Sequence, residues 1–484
     1  MDTSLHGERP KVRAIHAPSS INRFYDIAHG GIPVKVEASE EFYDTAMGLY
    51  SVCGKVDVDS ALRYLSLAQS IFVAIETQNL IEDVILQNPV SKASMELRKI
   101  KLRNQFTSNL STNWLTSLND TAKSTNILIL HHSNDILKYG FVSKISVTDN
   151  KKGKTEEKPN SQSNAIGQMS LKKQDLETLT GNLHCLQELL AELKGRKNST
   201  ESIRDEAFEK LKILFTSFES TFSSLVNSLE KQLEKSEGGL LILMDPSLAE
   251  LPIEKLFTGF IKEGNLSYIS RDFSVETFYK RTTFGRDSGD AKKVESNTKG
   301  KKGLAPIDTN TKDVVIISDR QVDIDVKRIF LQEQTLKYTI YEDKKSYSNG
   351  FLNAEVRTSS LLNIFLSPAG IYKKTSGFIE SFDLASLAAN SISDCSCRAN
   401  VVLDGGLSGV KTLMILGRLL GMNVMVNELH SLEIDDESET VKPNIISLML
   451  NFAKDGSLNM YLEDLGFLQR NKYDWIVFYG PILI

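Results

Sequence analysis

Two cysteines and one histidine in the carboxyl-terminal part of the chain could support nucleophilic chemistry. Cys395 and Cys397 come just before a predicted strand, and His430 follows a later one. A thiol that gives its proton to a nearby imidazole is the pair that cysteine peptidases use. Reactivity needs a lowered thiol pKa, and a Cys-Ser-Cys run ahead of a strand is more often a pair of ordinary thiols. We keep such a peptidase as an alternative and expect His430 to be a surface or packing residue.

The run GGLSGVKT, residues 405–412, is similar to the phosphate loop GxxxxGK[ST]. That loop holds phosphates with successive backbone N–H groups and a lysine. Val410 stands where the last glycine is required, and a β-branched residue resists the positive φ that brings the backbone close to a phosphate. Nucleotide binding is therefore a second alternative, and we expect no cofactor.

Metal binding is also not expected. His131 and His132 follow a predicted strand, but adjacent strand residues point to opposite faces and do not easily share one ion. The four cysteines of the chain lack the two matched pairs of a zinc knuckle. We expect the two histidines to have structural roles.

The elements that must position these residues change in character near Gly239. From there, short runs rich in Val, Ile and Leu alternate with helical stretches, which predicts a mostly parallel sheet of six or seven strands with flanking helices. The predicted strands are 240–244, 266–269, 314–318, 361–366, 401–403, 424–426 and 475–479. The predicted helices are 252–257, 384–389, 410–420 and 444–452.

The first half of the chain is predicted to be mainly helical. Its pattern favours a helical hairpin at 39–86, a helix at 92–118, one strand at 126–132 and two long amphipathic helices at 176–194 and 200–235. The divisions are a mainly helical region 1–148, a linker 149–167, a long helical pair 168–237, and an α/β domain 238–484 with a disordered insert 285–313.

Three segments of the α/β domain stand out by their order and spacing. LLILMDPSLAELPIEKL, at 240–256, runs from a buried strand through an acidic turn into a Leu-Pro helix start. NIFLSPAGIY, at 363–372, ends a strand in a turn that contains Ala369. VVLDGGLSGV, at 401–410, ends the next strand in a turn that contains Gly406.

These segments resemble the CHAT domain, a relative of caspases and separases, and the resemblance implies a caspase-like fold for 238–484. In that family the two later turns carry the catalytic histidine and cysteine. Here the matching positions are Ala369 and Gly406, so the resemblance implies a pseudo-peptidase without catalytic residues. A methyl group and a hydrogen replace the base and the nucleophile.

A narrower resemblance lies in LSYISRDFSVETFYKR, at 266–281. Its Ser-Arg-Asp-Phe-Ser segment resembles the degenerate CHAT region at the end of the cilia- and flagella-associated protein 46 family. Members of that family are larger proteins of the central apparatus of motile cilia, and 484 residues match only their terminal part. The resemblance implies a scaffold protein at the axoneme of a cilium or flagellum, with other central-apparatus proteins as partners.

Charge and hydropathy favour protein partners. A net charge of −5 gives no field that would draw the whole chain onto nucleic acid or anionic lipid. The lysines of 285–302 could contact acidic tubulin tails on microtubules, although a solvated loop is the favoured reading. The first residues lack a signal peptide's apolar stretch, and no run approaches about 20 uninterrupted apolar residues. We expect a soluble cytoplasmic protein with neither nucleic-acid nor membrane partners.

Overall fold

A computed structural model gives the architecture. It describes residues 39–54, 56–87, 125–143, 164–195, 201–236, 238–278, 312–318, 336–341, 359–366, 399–403, 425–429, 445–455 and 475–479. The helices predicted at 92–118, 384–389 and 410–420 lie outside these residues, as do most of the predicted linker and almost all of the insert 285–313.

The described helices agree with the predicted helical hairpin, the long helical pair and the helix near residue 450. They are α1 Glu40–Cys53, α2 Val58–Gln87, α3 Lys173–Gly195, α4 Glu201–Leu233, α5 Thr258–Lys262 and α6 Ile445–Asp455, with a 3-10 helix at Ile253–Phe257.

Eleven described strands form one sheet. They are β1 Thr125–Ser133, β2 Ile136–Val142, β3 Ala165–Ser170, β4 Gly239–Met244, β5 Tyr268–Asp272, β6 Lys312–Ser318, β7 Tyr338–Tyr341, β8 Ser359–Leu366, β9 Ala399–Leu403, β10 Met425–Leu429 and β11 Trp475–Tyr479.

The strand order in the sheet is β3-β2-β1-β4-β5-β11-β10-β9-β8-β6-β7. Of the ten pairings between these strands, seven are parallel and three are antiparallel. The antiparallel pairing of β10 with β11 divides the sheet into two parts that run in opposite directions. The carboxyl ends of β1, β4 and β5 therefore lie at one edge of the sheet, and those of β8, β9 and β10 lie at the other.

The sheet extends across the boundary predicted at 237/238. Strand β1 pairs in parallel with β4 along six residues, from Thr125 opposite Gly239 to Leu130 opposite Met244. Strand β3 begins at Ala165, within the range assigned to the linker, and pairs with β2. The composition of 149–167 predicts a linker because it lacks large apolar residues, but a partly exposed strand at the end of the sheet needs few of them.

Helices α1 and α2 cover one face of this part of the sheet. Ser39 caps α1 by accepting a hydrogen bond from the Phe42 N–H at 3.4 Å, and Asp57 accepts one from the Ser60 N–H at 3.2 Å at the start of α2. The core on this face joins alternate residues of β1 and β4, namely Ile127, Ile129, Leu241 and Leu243, to apolar residues of the two helices.

Helix α2 also contains one segment, Val58–Thr77, that is long and apolar enough to cross a membrane by length and composition alone. Its mean hydropathy is 1.2, and 72% of it is buried inside the protein. Ala61, Leu65, Ala68 and Ile71 are fully buried in the core that the helix shares with the sheet. The apolar character of this segment is accounted for by its packing.

Helix α4 buries a stripe at helical spacing, as the sequence predicts. The stripe consists of Leu211, Leu214, Phe215, Phe218, Phe222, Leu225, Leu229 and Leu233. Two rings in it, those of Phe218 and Phe222, pack with their centroids 5.0 Å apart.

Candidate functional site

The residues that the sequence singles out for peptidase chemistry lie outside the described residues. They are Ala369, Cys395, Cys397, Gly406 and His430. The glycine-rich run 405–412 lies outside them too. The strands that lead into the two turns of the resemblance, however, are described.

Strands β8 and β9 are neighbours in the sheet and run parallel, with Leu366 opposite Leu403 at their carboxyl ends. Ala369 follows the end of β8 by three residues, and Gly406 follows the end of β9 by the same interval. Strands β8 and β9 therefore end next to one another at the same edge of the sheet.

A second set of reactive side chains lies at the opposite edge, where β1 and β4 end. The His131 ring is fully buried, and its Nδ1 atom lies 2.9 Å from Oδ2 of Asp245, in a contact that is not aligned as a hydrogen bond. Its Nε2 atom lies 2.7 Å from the Tyr43 hydroxyl. The rings of Tyr43 and Phe72 pack edge-on against the His131 ring, with centroid distances of 5.6 and 5.5 Å. His131 thus joins helices α1 and α2 to the sheet.

Asp245 begins the acidic turn predicted after β4. Its Oδ2 atom accepts a hydrogen bond from the His132 backbone N–H at 2.7 Å. Its Oδ1 atom accepts bonds from the Ser247 hydroxyl at 2.5 Å and from the Ser247 N–H at 3.2 Å. One carboxylate therefore shapes its own turn and joins that turn to the end of β1.

Side chains of the Ser-Arg-Asp-Phe-Ser segment hold the loop between β4 and β5 in place. Arg271, on β5, is fully buried and donates hydrogen bonds to the carbonyl oxygens of Ala249 and Leu251, at 2.7 and 2.9 Å, and to the Glu254 carboxylate. Asp272 accepts bonds from the Phe273 N–H and the Thr277 hydroxyl, both at 2.8 Å, and Ser274 caps the short helix 275–278 by accepting a bond from the Thr277 N–H at 3.2 Å. The segment thus holds the loops at this edge of the sheet in place.

A tight hairpin adds a lysine and a serine to the same edge. Asn134 and Asp135 connect β1 to β2 with φ angles of 51° and 58°, as a two-residue type I′ turn requires. Lys138 consequently lies across from His131 in the hairpin. Its Nζ atom donates a hydrogen bond to the Ser133 hydroxyl at 2.7 Å. Burial lowers the pKa of Lys138.

Tyr43 links the Lys138–Ser133 pair to the His131–Asp245 pair. Burial is the main cause that raises the pKa of the Tyr43 hydroxyl, while a hydrogen bond with the Ser133 side chain acts in the opposite direction. Ser133 is thus a hydrogen-bond partner of both Tyr43 and Lys138. The network runs from Lys138 through Ser133, Tyr43 and His131 to Asp245, and we call it the hairpin network.

An open groove of about 690 Å³ lies beside the hairpin network. Ser133 and His132 line it from the end of β1, and Ser247 lines it from the turn after β4. Phe72 and Leu176 supply apolar wall from α2 and α3. The groove is large enough for a small organic ligand.

His131 and His132 have separate partners, as expected for adjacent strand residues. The His132 Nε2 atom lies 2.7 Å from the Leu171 carbonyl oxygen, whereas His131 contacts Tyr43 and Asp245. Among the described residues, no group of three or more His, Cys, Asp or Glu side chains is placed to hold a metal ion. The described cysteines, Cys53 and Cys185, are free thiols.

Sequence reasoning did not find the hairpin network. Its members are spread over three segments, around residues 43, 131–138 and 245, and no motif links them. The Asn-Asp pair between two apolar runs is the local signal for the hairpin that brings Lys138 back to Ser133.

No protein-family model matches the chain, and no curated protein matches it either.

Proposed function

We propose that the protein is a non-catalytic docking protein whose carboxyl-terminal half is a caspase-like pseudo-peptidase. The supporting observation is the parallel pairing of β8 with β9, whose carboxyl ends lie together at one edge. The resemblance to CHAT domains assigns the catalytic histidine and cysteine to the two turns that follow these strands. This sequence has Ala369 and Gly406 there.

Peptide hydrolysis at these turns needs a thiolate and a base within hydrogen-bond reach of one another. Alanine offers a methyl group and glycine offers a hydrogen, and neither can accept a proton or attack a carbonyl. Two separate losses at one edge support a role in binding.

The partners that we propose are proteins of the ciliary or flagellar central apparatus. The support is the resemblance of 266–281 to the degenerate CHAT region of the cilia- and flagella-associated protein 46 family. Arg271 and Asp272, within this segment, fix the loops on either side of β5 through buried hydrogen bonds. A segment with such a structural role is compatible with retention of the fold after the loss of catalysis.

The first test uses a thiol-reactive peptide electrophile, such as a peptidyl acyloxymethyl ketone. We expect no covalent labelling of the full chain above that of the heat-unfolded protein. Labelling that Cys395→Ala or Cys397→Ala abolishes, with loss of labelling in His430→Ala as well, would instead establish a peptidase with a relocated dyad.

The second test is affinity purification of the tagged full chain from ciliated cells, with the same tag on an unrelated protein of similar size as control. We expect central-apparatus proteins to be enriched, and reciprocal purification of one of them to recover this chain. Recovery of no axonemal component would contradict the ciliary assignment and would leave the loss of peptidase chemistry unaffected.

A further inference from the structure

The hairpin network has a feature that a docking role does not require. Lys138 is half-buried, and among the described side chains its ammonium group contacts no carboxylate. Its hydrogen-bond partner in that part of the chain is the Ser133 hydroxyl, at 2.7 Å. An amine of this kind is held near a hydroxyl group in a setting that disfavours its charged form.

Ser133 is also accessible from the groove. Ser133 is partly exposed and lines the groove beside the end of β1. A hydroxyl that borders a ligand-sized groove and bonds to an amine has the arrangement of a nucleophile with its general base. This arrangement lies at the opposite edge of the sheet from the carboxyl ends of β8 and β9.

We propose that Ser133 is a nucleophile and Lys138 its general base, and that the groove accepts small carboxylic esters for acyl transfer. This activity is independent of the proposed docking function and limits the non-catalytic assignment above to peptidase chemistry. The groove has room for such a ligand, and the Phe72 and Leu176 side chains give its acyl or alcohol part an apolar surface.

The reaction follows from the groups in place. In its uncharged form, Lys138 takes the Ser133 hydroxyl proton as the Ser133 oxygen bonds to the ester carbonyl carbon. The tetrahedral intermediate then breaks its bond to the alcohol oxygen, which takes the proton from Lys138 and leaves. Hydrolysis of the acylated Ser133 then follows the same steps with water as the nucleophile. Lys138 takes a proton from water as the water oxygen bonds to the acyl carbon. The Ser133 oxygen leaves with that proton, which releases the carboxylic acid.

The remaining members of the hairpin network act as positioning residues. The Tyr43 hydroxyl hydrogen-bonds with Ser133 and lies 2.7 Å from His131, which is held beside Asp245. These contacts fix the Ser133 rotamer at the end of β1, next to the amine of Lys138. Each positioning residue is buried or partly buried and acts on an ester through Ser133.

A fluorophosphonate probe, which phosphonylates activated serine hydroxyl groups, tests the proposal on the full chain. We expect one phosphonyl group per chain, located on Ser133 by peptide mass spectrometry. Ser133→Ala should abolish the modification. Ser51→Ala, which removes an exposed hydroxyl on α1, is the matched control and should leave the rate unchanged.

Lys138→Arg separates a general base from a structural cation, because arginine keeps the charge and the hydrogen bond but does not deprotonate at neutral pH. We expect labelling to slow by roughly 100-fold or more, since general-base catalysis contributes about that factor. Circular dichroism and thermal melting of each variant confirm that it folds. Absence of labelling in the wild-type chain, labelling that persists in Ser133→Ala, or an unchanged rate in Lys138→Arg would each overturn the proposal.

Hydrolysis of p-nitrophenyl acetate gives an independent readout. Acylation of Ser133 predicts an initial burst of nitrophenol stoichiometric with the protein, followed by slower turnover. Ser133→Ala should show no burst. A burst of the same size in that variant would assign the reaction to another group and would refute the role of Ser133.

Discussion

Arg271 and Glu254 form a buried ion pair between β5 and the 3-10 helix that follows β4. The Arg271 side chain is fully buried, and that of Glu254 is 5% exposed. Both oxygen atoms of the Glu254 carboxylate accept hydrogen bonds from the guanidinium group, which also donates to two loop carbonyl oxygens. A planar guanidinium presents several donors at once, so one side chain fixes the entire loop.

Replacing either partner of this ion pair should destabilise the protein strongly. We expect Arg271→Met to lower the free energy of unfolding by about 3–5 kcal/mol, because the Glu254 charge remains buried without its partner. Urea unfolding measures the change. The double variant Arg271→Met/Glu254→Leu should lose less than the sum of the two single variants. Lys262→Met, at an exposed site of α5, is the control and should change stability by less than about 0.5 kcal/mol.

Gln69 joins helix α2 to two adjacent strands. Its buried amide nitrogen donates to the carbonyl oxygens of Leu130 on β1, at 2.7 Å, and Leu243 on β4, at 3.0 Å. Gln69→Leu keeps the volume but leaves both carbonyl groups without that donor, so we expect a loss of about 1–3 kcal/mol in denaturant unfolding. Gln168→Leu, on the exposed face of β3, should be close to neutral. Equal effects of the two substitutions would contradict this role for Gln69.

Gly239 has no space for a side chain. A Cβ atom built there would lie 2.1 Å from the Tyr268 ring, which packs against the start of β4. We expect Gly239→Ala to lower the melting temperature measurably, because backbone and ring must both shift. Gly48→Ala, on α1, has nothing within 4 Å of its Cβ and should stabilise the helix by about 0.5–1 kcal/mol. The same sign of change at both sites would show that packing is not the cause.

The raised pKa of Tyr268 predicts that the protein loses stability at high pH. Burial raises its pKa from 10.0 to about 12, while the hydrogen bond with Thr125, at 3.0 Å, opposes this shift. The folded state therefore keeps the phenol proton in a range where the unfolded chain has lost it. The stabilisation is complete below about pH 10 and is lost as the pH rises toward 12, by an amount on the order of 2 kcal/mol.

Unfolding measured by fluorescence across pH 9 to 12 tests the Tyr268 prediction. Tyr268→Phe lacks the titrating hydroxyl, so its stability should fall less steeply over this interval than that of the wild-type chain. A variant with the wild-type slope would show that other groups dominate alkaline unfolding.

The apolar patterns located most of the described secondary structure. The strands predicted at 240–244, 314–318, 361–366, 401–403 and 475–479 coincide with or lie inside described strands, because buried parallel strands are continuous runs of large aliphatic residues. Strand β3 was missed because its residues are only half-buried and carry no aliphatic pattern. Strand β2 was missed because Lys138 and Gly140 interrupt its apolar residues.

Strand β5 shows where the pattern misplaces an element. The prediction stops at residue 269, but the strand continues through Arg271 and Asp272 with all of its residues buried. Two charged residues normally indicate the end of a buried strand, and the residue that neutralises Arg271 is 17 positions earlier in the chain. The hairpin network escapes sequence reasoning for the same reason, since its members meet through tertiary structure.

The pairing of β1 with β4 sets a practical limit on how this chain can be divided. A fragment that starts at residue 238, where composition alone suggests a cut, would leave the backbone groups along one side of β4 open to any extended segment nearby. Such a fragment is expected to aggregate during expression, whereas one that begins ahead of Thr125 carries its own protecting hairpin. Recombinant work on the carboxyl-terminal half therefore has to include sequence that, by its local character, belongs to the amino-terminal half.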